Sequence, residues 1–204
     1  MGRVEGKAAI VTGAGRGIGR ATALALAKEG AWVYATDIHE ASAHETATLA
    51  GERAQGLVHD VAKEADWAEV IEKVVAERGR IDILVNNAGL LLQKTIGETS
   101  LDEFRRVSEV NVMGAYLGCS KVIASMRATS PDGQPAEGSV INLSSIVAKK
   151  GFPGTIAYSA TKGATRNMAR ALGVEVGLKG DMIRVNAVLP GAVRTPMTEA
   201  YWGG

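Results

Sequence analysis

The chain has a single cysteine, no run of about five like charges and no apolar stretch of about 18 residues. The lone cysteine, Cys119, excludes a disulfide framework and is typical of a reducing compartment. Lys and Arg number 23 and Asp and Glu 22, so the chain lacks the basic excess that binds nucleic acids or membrane surfaces. Because the N-terminus also lacks a signal-peptide pattern, we expect a cytoplasmic protein with no nucleic-acid and no membrane partner.

Metal binding is not indicated either. The chain has 3 histidines, His39, His44 and His59, which neither have the spacing of metal ligands nor lie among clustered acids. We therefore predict no metal site, and we assign no chemical role to His59. Cys119 lies in an apolar segment and is interpreted as a small buried hydrophobic residue.

Glycine, by contrast, is abundant, with 25 in 204 residues, where the usual share is ~7%. This excess predicts many places where the backbone turns tightly or approaches another group closely. Short β-branched segments alternate with longer segments rich in Ala, Leu, Glu and Arg. The predicted strands are Ala8–Val11, Trp32–Asp37, Leu57–His59, Ile81–Asn86, Val140–Ser144 and Arg184–Val188. The predicted helices are Ile18–Glu29, Ala41–Arg53, Lys63–Arg78, Leu101–Ala128 and Tyr158–Leu178.

The alternation of strands and helices predicts the fold class. Strands joined by helical crossovers form a parallel sheet with helices on both faces, which is a doubly wound α/β domain. The strand segments are apolar on both faces, as is typical of strands buried between two helical layers. Since no internal repeat is present, residues 1–204 are interpreted as one domain that binds ligands at the carboxyl ends of its strands.

A glycine-rich loop joins the first predicted strand to the first predicted helix. The segment Thr12–Gly19 reads T-G-A-G-R-G-I-G. Gly13 permits the turn, Gly17 lets the backbone reach a phosphate, and Gly19 allows the helix to pack closely on the sheet. The usual G-x-G-x-x-G spacing would place its third glycine at Ile18, so the spacing here is a different one. The N–H groups that begin the following helix favour a pyrophosphate, and we predict a dinucleotide loop.

An acidic residue, Asp37, ends the second predicted strand, 20 residues after Gly17. Its carboxylate can accept hydrogen bonds from the adenosine ribose hydroxyls and would repel the 2′-phosphate of NADP. Arg16 in the glycine loop could bind such a phosphate, although a solvated surface position is the preferred interpretation. Because like-charge repulsion in a partly desolvated pocket is strong, the predicted cofactor is NAD.

Hydroxyl groups and an ammonium form the second predicted feature. Tyr158 and Lys162 are four residues apart, so a helix places both on one face. A phenol of pKa ~10 is a poor base at neutral pH, and a nearby ammonium lowers that pKa by favouring the phenolate. A strand ending in Ser144 and Ser145 precedes the pair, and Ser145 lies 13 residues before Tyr158. We assign Ser144 a local hydrogen bond.

These motifs, in this order, resemble those of the short-chain dehydrogenase/reductase family, in the subgroup with the T-G-x-x-x-G-x-G loop. The resemblance extends from Lys7 to Thr195 and implies a Rossmann-like sheet with strand order 3-2-1-4-5-6. It implies a catalytic tetrad of Asn111, Ser145, Tyr158 and Lys162. The cofactor-binding residues that it implies are Gly13, Arg16, Gly17, Ile18, Gly19, Asp37, Asp60, Val61, Asn87, Ala88, Gly89, Tyr158, Lys162, Pro190, Gly191, Val193 and Thr195.

The resemblance also implies a role for each member of the tetrad. Tyr158 is the acid/base, and Lys162 lowers its pKa and binds the nicotinamide ribose. Ser145 donates a hydrogen bond to the substrate oxygen, and Asn111 holds a water that connects Lys162 to solvent. Hydride passes directly between cofactor and substrate carbon. The implied activity is NAD-dependent oxidation or reduction of secondary alcohols and ketones.

The end of the chain bears on the substrate. Members of this family usually continue beyond the segment at Pro190–Thr195 with a substrate lid and a seventh strand. The sequence ends at Gly204, so we expect both to be missing from this chain. Apolar residues predict a small hydrophobic alcohol or ketone as the substrate. The candidate pocket segments are Leu90–Leu92, Ile146–Phe152 and Met197–Trp202.

Self-association is also expected. The two longest predicted helices carry small and apolar residues on more than one face, which predicts a homodimer or a homotetramer. The small residues assigned to this surface are Gly114, Gly118, Gly163 and Ala164.

Three other functions stay open on the sequence. A nucleotide-binding regulatory protein would keep the fold without turnover. An acyl-thioester (3-oxoacyl) reductase would share the tetrad, although such relatives generally favour NADP, which Asp37 opposes. A sugar-nucleotide epimerase or dehydratase would use a different glycine spacing from the one found here.

Overall fold

The computed structural model describes residues 2–202, with side chains up to Glu199. The strands are β1 Ala8–Thr12, β2 Trp32–Asp37, β3 Ala54–Val58, β4 Ile83–Asn86, β5 Glu137–Leu143 and β6 Met182–Val188. The helices are α1 Gly17–Lys28, α2 Glu40–Ala50, α3 Glu64–Arg78, α4 Leu101–Ser108, α5 Gly114–Ala128, α6 Ile156–Leu178 and α7 Pro196–Trp202. Met1, Gly203 and Gly204 of the predicted domain lie outside the described residues, as do the side chains of residues 200–202 in the predicted substrate pocket.

All six strands form one parallel sheet in the order β3-β2-β1-β4-β5-β6, which confirms the predicted fold class and strand order. The order reverses between β1 and β4, where Ala9 is in register with Ile83 on one side and with Val33 on the other. The ends of these central strands therefore open a crevice at one edge of the sheet. Within residues 2–202, none of the helices combines the length and apolar character needed to cross a membrane.

The hydrophobic core has two parts, one on each face of the sheet. On one face α3, α5 and α6 pack large side chains against Ile10, Leu84 and Val140, and Trp67 of α3 is fully buried. On the other face α1 packs through small residues such as Ala23. Small side chains let the helix approach the sheet closely. Because α1 follows β1 through the glycine loop, its N-terminus lies at the carboxyl edge of the sheet.

The predicted burial of strands on both faces is wrong for β6. Its residues alternate between buried or half-buried positions, such as Ile183, and exposed positions. The exposed residues are Met182, Arg184, Asn186 and Val188. Side chains alternate between the two faces of a strand, and in residues 2–202 the opposite face of β6 is the one that packs on α6. The strand therefore has one covered face and one open face.

The segment predicted as one helix, Leu101–Ala128, has three parts. A capping box begins α4: the Ser100 hydroxyl accepts a hydrogen bond from the Glu103 N–H at 3.2 Å, and the Glu103 carboxylate accepts the Ser100 N–H at 3.0 Å. One turn of π-helix, Glu109–Met113, then separates α4 from α5. This turn contains Asn111, and π-helical turns are frequent at functional sites.

Two of the small residues assigned to an association surface face the core instead. A Cβ at Gly114 would lie 2.7 Å from the Val61 side chain, and one at Gly118 would lie 2.6 Å from the Trp67 ring. These two glycines let α5 pack against α3 and the loop after β3. Gly163 and Ala164, in contrast, lie at or near the surface of α6.

Candidate active site

The predicted site residues come together in one cleft at the carboxyl edge of the sheet. Of the predicted residues, those that line this cleft are Gly13, Arg16, Gly17, Ile18, Asp37, Asp60, Val61, Asn87, Ala88, Gly89, Ser145, Tyr158, Lys162, Pro190, Gly191, Val193 and Thr195. The other two predicted residues lie behind the cleft wall: Gly19 packs under the glycine loop, and Asn111 lies behind Gly89. The cleft therefore brings residues from seven separate segments to one edge.

The glycine loop is held in a conformation that suits glycine. Gly13 and Gly17 have φ values of 60° and 57°, in the left-handed region that other residues rarely adopt. The Asn87 side-chain amide donates to the carbonyls of Thr12 and Gly13 at 2.8 Å and 3.0 Å. A Cβ at Gly19 would collide with the Gly13 carbonyl and this amide. The segment after β4 therefore holds the loop from one side, and the close packing at Gly19 holds it from the other.

Asp37, the last residue of β2, lines one end of the cleft. One oxygen of its carboxylate accepts the Gly15 N–H at 2.9 Å, and the other accepts the His39 N–H at 3.0 Å. The two backbone bonds fix the plane of the carboxylate and direct it into the cleft that Asp37 lines. Arg16, the basic residue of the same loop, is exposed and lines the cleft as well.

Asp60 and Val61 line the cleft beside Asp37, in the turn that follows β3. The Asp60 carboxylate accepts the Ala62 N–H at 3.1 Å, and the Asp60 N–H is bound by the Asp66 carboxylate at 2.8 Å. Sequence reasoning missed Asp66, whose only signal is an acidic residue in the first turn of α3. Asp66 holds the turn that presents Asp60 to the cleft.

His59 lines this end of the cleft, although no pattern in the sequence assigned it a role. Its Nδ1 is 2.9 Å from the Thr36 hydroxyl, and its ring packs edge-on against Trp67 at 4.4 Å between centroids. Its Nε2 has no hydrogen-bond partner among the described residues. Burial lowers the pKa of His59 to about 4, so the ring is neutral at physiological pH.

The three hydroxyl and ammonium residues of the tetrad meet at the end of β5. Ser145 begins a short 3₁₀ turn, where its hydroxyl accepts the Val147 N–H at 3.3 Å. Lys162 is 5% exposed, and its ammonium donates to the Leu143 carbonyl at 2.6 Å. Ser144 donates to the Lys162 carbonyl at 2.8 Å, so its predicted local hydrogen bond is wrong. These two bonds fasten α6 to the end of β5.

The predicted lowering of the Tyr158 pKa by Lys162 is not found in this structure. Burial raises the pKa of Tyr158, and a hydrogen bond from Ser145 only partly opposes that rise. The Lys162 ammonium is 5.7 Å from the centre of the phenol ring and is directed to the Leu143 carbonyl. Burial lowers the pKa of Lys162 itself to about 8. Desolvation of both groups therefore dominates over their attraction.

Asn111, in the π-helical turn, does not reach the cleft. Its side-chain oxygen accepts the Leu90 N–H at 2.7 Å, and its amide donates to the Leu90 carbonyl at 2.9 Å. A Cβ at Gly89 would lie 3.2 Å from this oxygen and 3.3 Å from the Lys162 ammonium. Glycine at this position therefore lets Asn111 and Lys162 both approach the backbone at residue 89. The water that Asn111 is predicted to hold stays a prediction.

Other residues line the cleft that the sequence did not single out as site residues. Leu90 and Met197 belong to the predicted substrate pocket, while Arg106 and Val110 extend from α4 and the π-helical turn. Arg106 and Val110 are four residues apart, which places both on one face of a helix, and this spacing is their signal in the sequence.

The chain is similar in sequence and in fold to known proteins. A family model described as short chain dehydrogenase matches residues 7–203. A cyclopentanol dehydrogenase from Comamonas sp. is 40% identical over 202 residues, which are 98% of this chain and 78% of that protein. A 3-alpha-(or 20-beta)-hydroxysteroid dehydrogenase from Mycobacterium tuberculosis is 37% identical over 97% of this chain and 73% of that protein. A crystal structure of a 3-ketoacyl-(acyl-carrier-protein) reductase from Brucella melitensis, complexed with NADH, superposes with a TM-score of 0.90 and 35% identity, over 98% of this chain and 81% of that one.

Proposed function

Since this chain belongs to the short-chain dehydrogenase family, we propose that it oxidises secondary alcohols or reduces the matching ketones with NAD(H), using Tyr158 as the acid/base. It is an oxidoreductase that transfers hydride between a nicotinamide cofactor and an alcohol or ketone. The observation that carries the finer proposal is the meeting of Ser145, Tyr158 and Lys162 in the same cleft as the glycine loop.

The residues of the cleft fit a dinucleotide. Gly13 and Gly17 keep the loop free of side chains where its backbone turns, and a Cβ at Gly13 would lie 2.7 Å from Ala88. The N–H groups at the start of α1 favour the pyrophosphate, and the carboxylate of Asp37 suits the ribose hydroxyls. When bound, the nicotinamide ring supplies or accepts the hydride.

The remaining chemistry belongs to side chains of this chain. During reduction the Tyr158 hydroxyl gives its proton to the carbonyl oxygen of the substrate, and during oxidation the phenolate removes the alcohol proton. The Ser145 hydroxyl donates to the same oxygen, where negative charge develops. The Lys162 ammonium is held by Leu143 and Tyr158 lies one turn before it, so α6 sets the geometry of the pair.

The substrate class follows from the apolar lining. Leu90, Val110 and Met197 line the cleft, and they favour a hydrophobic alcohol or ketone over a charged one. The names of two relatives, a cyclopentanol dehydrogenase and a hydroxysteroid dehydrogenase, support cyclic secondary alcohols as the substrate class. A 3-oxoacyl thioester is the second candidate, and its support is the similarity to a 3-ketoacyl reductase complexed with NADH.

Replacement of the acid/base tests this proposal. We expect Tyr158→Phe to lose about 10³-fold or more in kcat with cyclopentanol or a hydroxysteroid, because a phenyl ring can neither give nor take the proton of the substrate oxygen. The measurement is NADH absorbance during turnover, with NADH binding followed in parallel by fluorescence.

The control for Tyr158→Phe is Tyr116→Phe, which removes an exposed phenol on α5. It should leave kcat unchanged. Near-normal turnover of Tyr158→Phe would remove this residue from the mechanism. NADH binding by the wild type without turnover of any alcohol, ketone or 3-oxoacyl thioester would instead favour a regulatory protein.

Asp37 is the proposed reason for a preference for NAD. Asp37→Ser removes the charge that opposes a 2′-phosphate, and we expect it to reduce the NAD/NADP ratio of kcat/KM at least tenfold, since a repulsion in a partly desolvated pocket is worth more than about 1.4 kcal/mol. Initial rates with each cofactor give this ratio.

Arg16→Ala is the matched control for Asp37→Ser, because Arg16 is an exposed residue of the same end of the cleft. It should raise the NAD/NADP ratio or leave it unchanged. A wild-type enzyme that uses NADP more efficiently than NAD would contradict the assigned role of Asp37.

A further inference from the structure

The hydroxyl of Thr161 joins the π-helical turn to the helix that carries Tyr158 and Lys162. It accepts a hydrogen bond from the Asn111 side-chain amide at 3.0 Å and donates one to the Tyr158 carbonyl at 2.9 Å. Thr161 and Asn111 are each 2% exposed, so water does not replace either bond readily. Thr161 does not line the cleft itself.

The side chain of Asn111 has one orientation that satisfies its neighbours. Its oxygen faces the Leu90 N–H, and its two amide protons face the Leu90 carbonyl and the Thr161 hydroxyl. Rotation of the amide by half a turn would set donor against donor at the Leu90 N–H and acceptor against acceptor at the Leu90 carbonyl. Thr161 provides the contact that ties this orientation to α6.

The orientation also affects the backbone beside Gly89. The Asn111 oxygen and the Lys162 ammonium both lie within 3.3 Å of the position that a Cβ of Gly89 would occupy. A rotated amide would lose both of its bonds to Leu90 and would release the backbone there, which lines the cleft.

We propose that Thr161 is a positioning residue of the active site: its hydroxyl fixes the Asn111 amide, and through it the backbone at Leu90, relative to Tyr158 and Lys162. The proposal rests on the proposed oxidoreductase function. Because Thr161 belongs to α6 and bonds to Asn111 but does not line the dinucleotide cleft, its loss affects kcat and leaves the affinity for NADH unchanged.

The test compares Thr161→Val, which keeps the shape of the side chain but removes its hydrogen bonds, with Thr161→Ser, which keeps the hydroxyl. We expect Thr161→Val to lower kcat about tenfold, as small misplacements of catalytic groups do, with the NADH Kd changed less than about twofold. Thr161→Ser should restore kcat. Thr129→Val, which removes a hydroxyl bonded to the carbonyl four residues earlier at the end of α5, should leave kcat unchanged.

A double-mutant cycle separates positioning from general stability. If Thr161 acts through Asn111, Thr161→Val lowers kcat in the wild type but has no further effect in Asn111→Ala. Equal losses in both backgrounds, a Thr161→Val enzyme with wild-type kcat, or failure of Thr161→Ser to restore kcat would each overturn the proposal. Thr161→Ala replaces Thr161→Val in the cycle if the valine variant does not fold.

Hydrogen exchange tests the contact without turnover. The Leu90 amide is bonded to Asn111, so we expect it to exchange faster in Thr161→Val than in the wild type or in Thr161→Ser. Unchanged exchange at Leu90 would overturn the proposal. The Leu90 amide could exchange faster in Thr161→Val, as expected, while the wild type turns over no substrate. That result would overturn the proposed function and leave the positioning contact supported.

Discussion

At the scale of single residues, burial shifts the pKa values around the cleft toward uncharged forms. The pKa of Lys162 is lowered to about 8, that of Tyr158 is raised, and that of His59 is lowered to about 4. Burial penalises the charged form of each group, whichever sign that charge has. At neutral pH the Tyr158 phenol therefore keeps its proton, which suits the donor role that we propose for it in reduction.

His59 makes the stability of the protein depend on pH. Its ordinary pKa is 6.5 and its pKa in the fold is about 4, so the unfolded chain binds a proton at a pH where the folded chain does not. The free energy of unfolding is therefore unaffected by His59 protonation above pH ~6.5. It decreases by up to about 3 kcal/mol as the pH falls toward ~4. Urea unfolding between those pH values measures this slope.

The variant that checks the assignment is His59→Asn, in which the part of the slope due to the imidazole should disappear. His44→Asn is the control, since His44 is exposed on α2 and its side chain is 59% accessible. If His59→Asn and the wild type lose stability in parallel on acidification, the slope belongs to other groups.

The types of site residue could be predicted from the sequence, but their partners could not. The glycines of the loop and the spacing of Tyr158 and Lys162 are local patterns, which can be identified from neighbouring residues in the sequence. The carboxylate of Asp66, the hydroxyl of Thr161 and the carbonyl of Leu143 act through contacts with residues from other turns or elements. Such contacts depend on how elements pack, and no spacing in the sequence encodes them.

At the scale of elements, the break in the long helix between α4 and α5 could not be predicted. Buried positions run through it at Val107, Val110, Asn111, Gly114 and Ala115, with intervals that an uninterrupted α-helix also gives. The π-helical turn holds about one residue more than an α-helical turn, and these intervals do not reveal it. The break is nevertheless what contains Asn111, whose amide reaches both the loop after β4 and α6.

A different effect limits the prediction of strand boundaries. The sequence predicts the third strand at Leu57–His59, whereas β3 covers Ala54–Val58. Alanine, glutamine and glycine have low strand propensity, so the segment from Ala54 to Gly56 gives no local signal. Its pairing with β2, with Val33 in register with Ala54, determines its structure instead.

Helix packing predicts opposite effects for two glycine substitutions. Gly118→Ala places a methyl group against Asn86 and Trp67, and we expect a loss of about 1–3 kcal/mol of unfolding free energy from overpacking. Gly163→Ala adds a methyl group in open space on α6, and we expect a gain of up to about 1 kcal/mol from helix propensity. Urea unfolding of both variants at neutral pH gives the two values.

Each glycine variant serves as the control for the other, because both add one methyl group inside a helix. A Gly118→Ala protein as stable as the wild type would show that Trp67 moves aside at no cost. A loss of stability in Gly163→Ala would contradict the open space above Gly163.

At the scale of the whole molecule, α6 carries a row of apolar and small residues on its outer side. Val174 is 64% exposed and Leu178 85%, although both are aliphatic. The exposed row along α6 comprises Ile156, Ala160, Ala164, Asn167, Ala171, Val174 and Leu178. The adjacent π-helical turn and α5 expose Met113 and Tyr116. Apart from Asn167 this row is apolar, and exposed apolar surface of this kind is typical of protein–protein interfaces.

We propose that this surface pairs with a second copy of the chain to form the expected homodimer or a homotetramer. Small residues such as Ala160 and Ala164 would allow two copies of α6 to approach closely about a two-fold axis. A stable interface buries ~800 Å² on each partner, which a helix of 23 residues together with the exposed side of α5 can supply.

Val174→Glu should convert the assembly into a monomer, because it places a charge on each copy within an apolar interface. Size-exclusion chromatography with light scattering measures the mass, and Glu52→Lys, an exposed charge change in the turn after α2, should leave it unchanged. A wild-type mass near 21.2 kDa would contradict the proposed association. If Val174→Glu keeps the wild-type oligomer, the interface lies elsewhere, and the open face of β6 becomes the surface to substitute next.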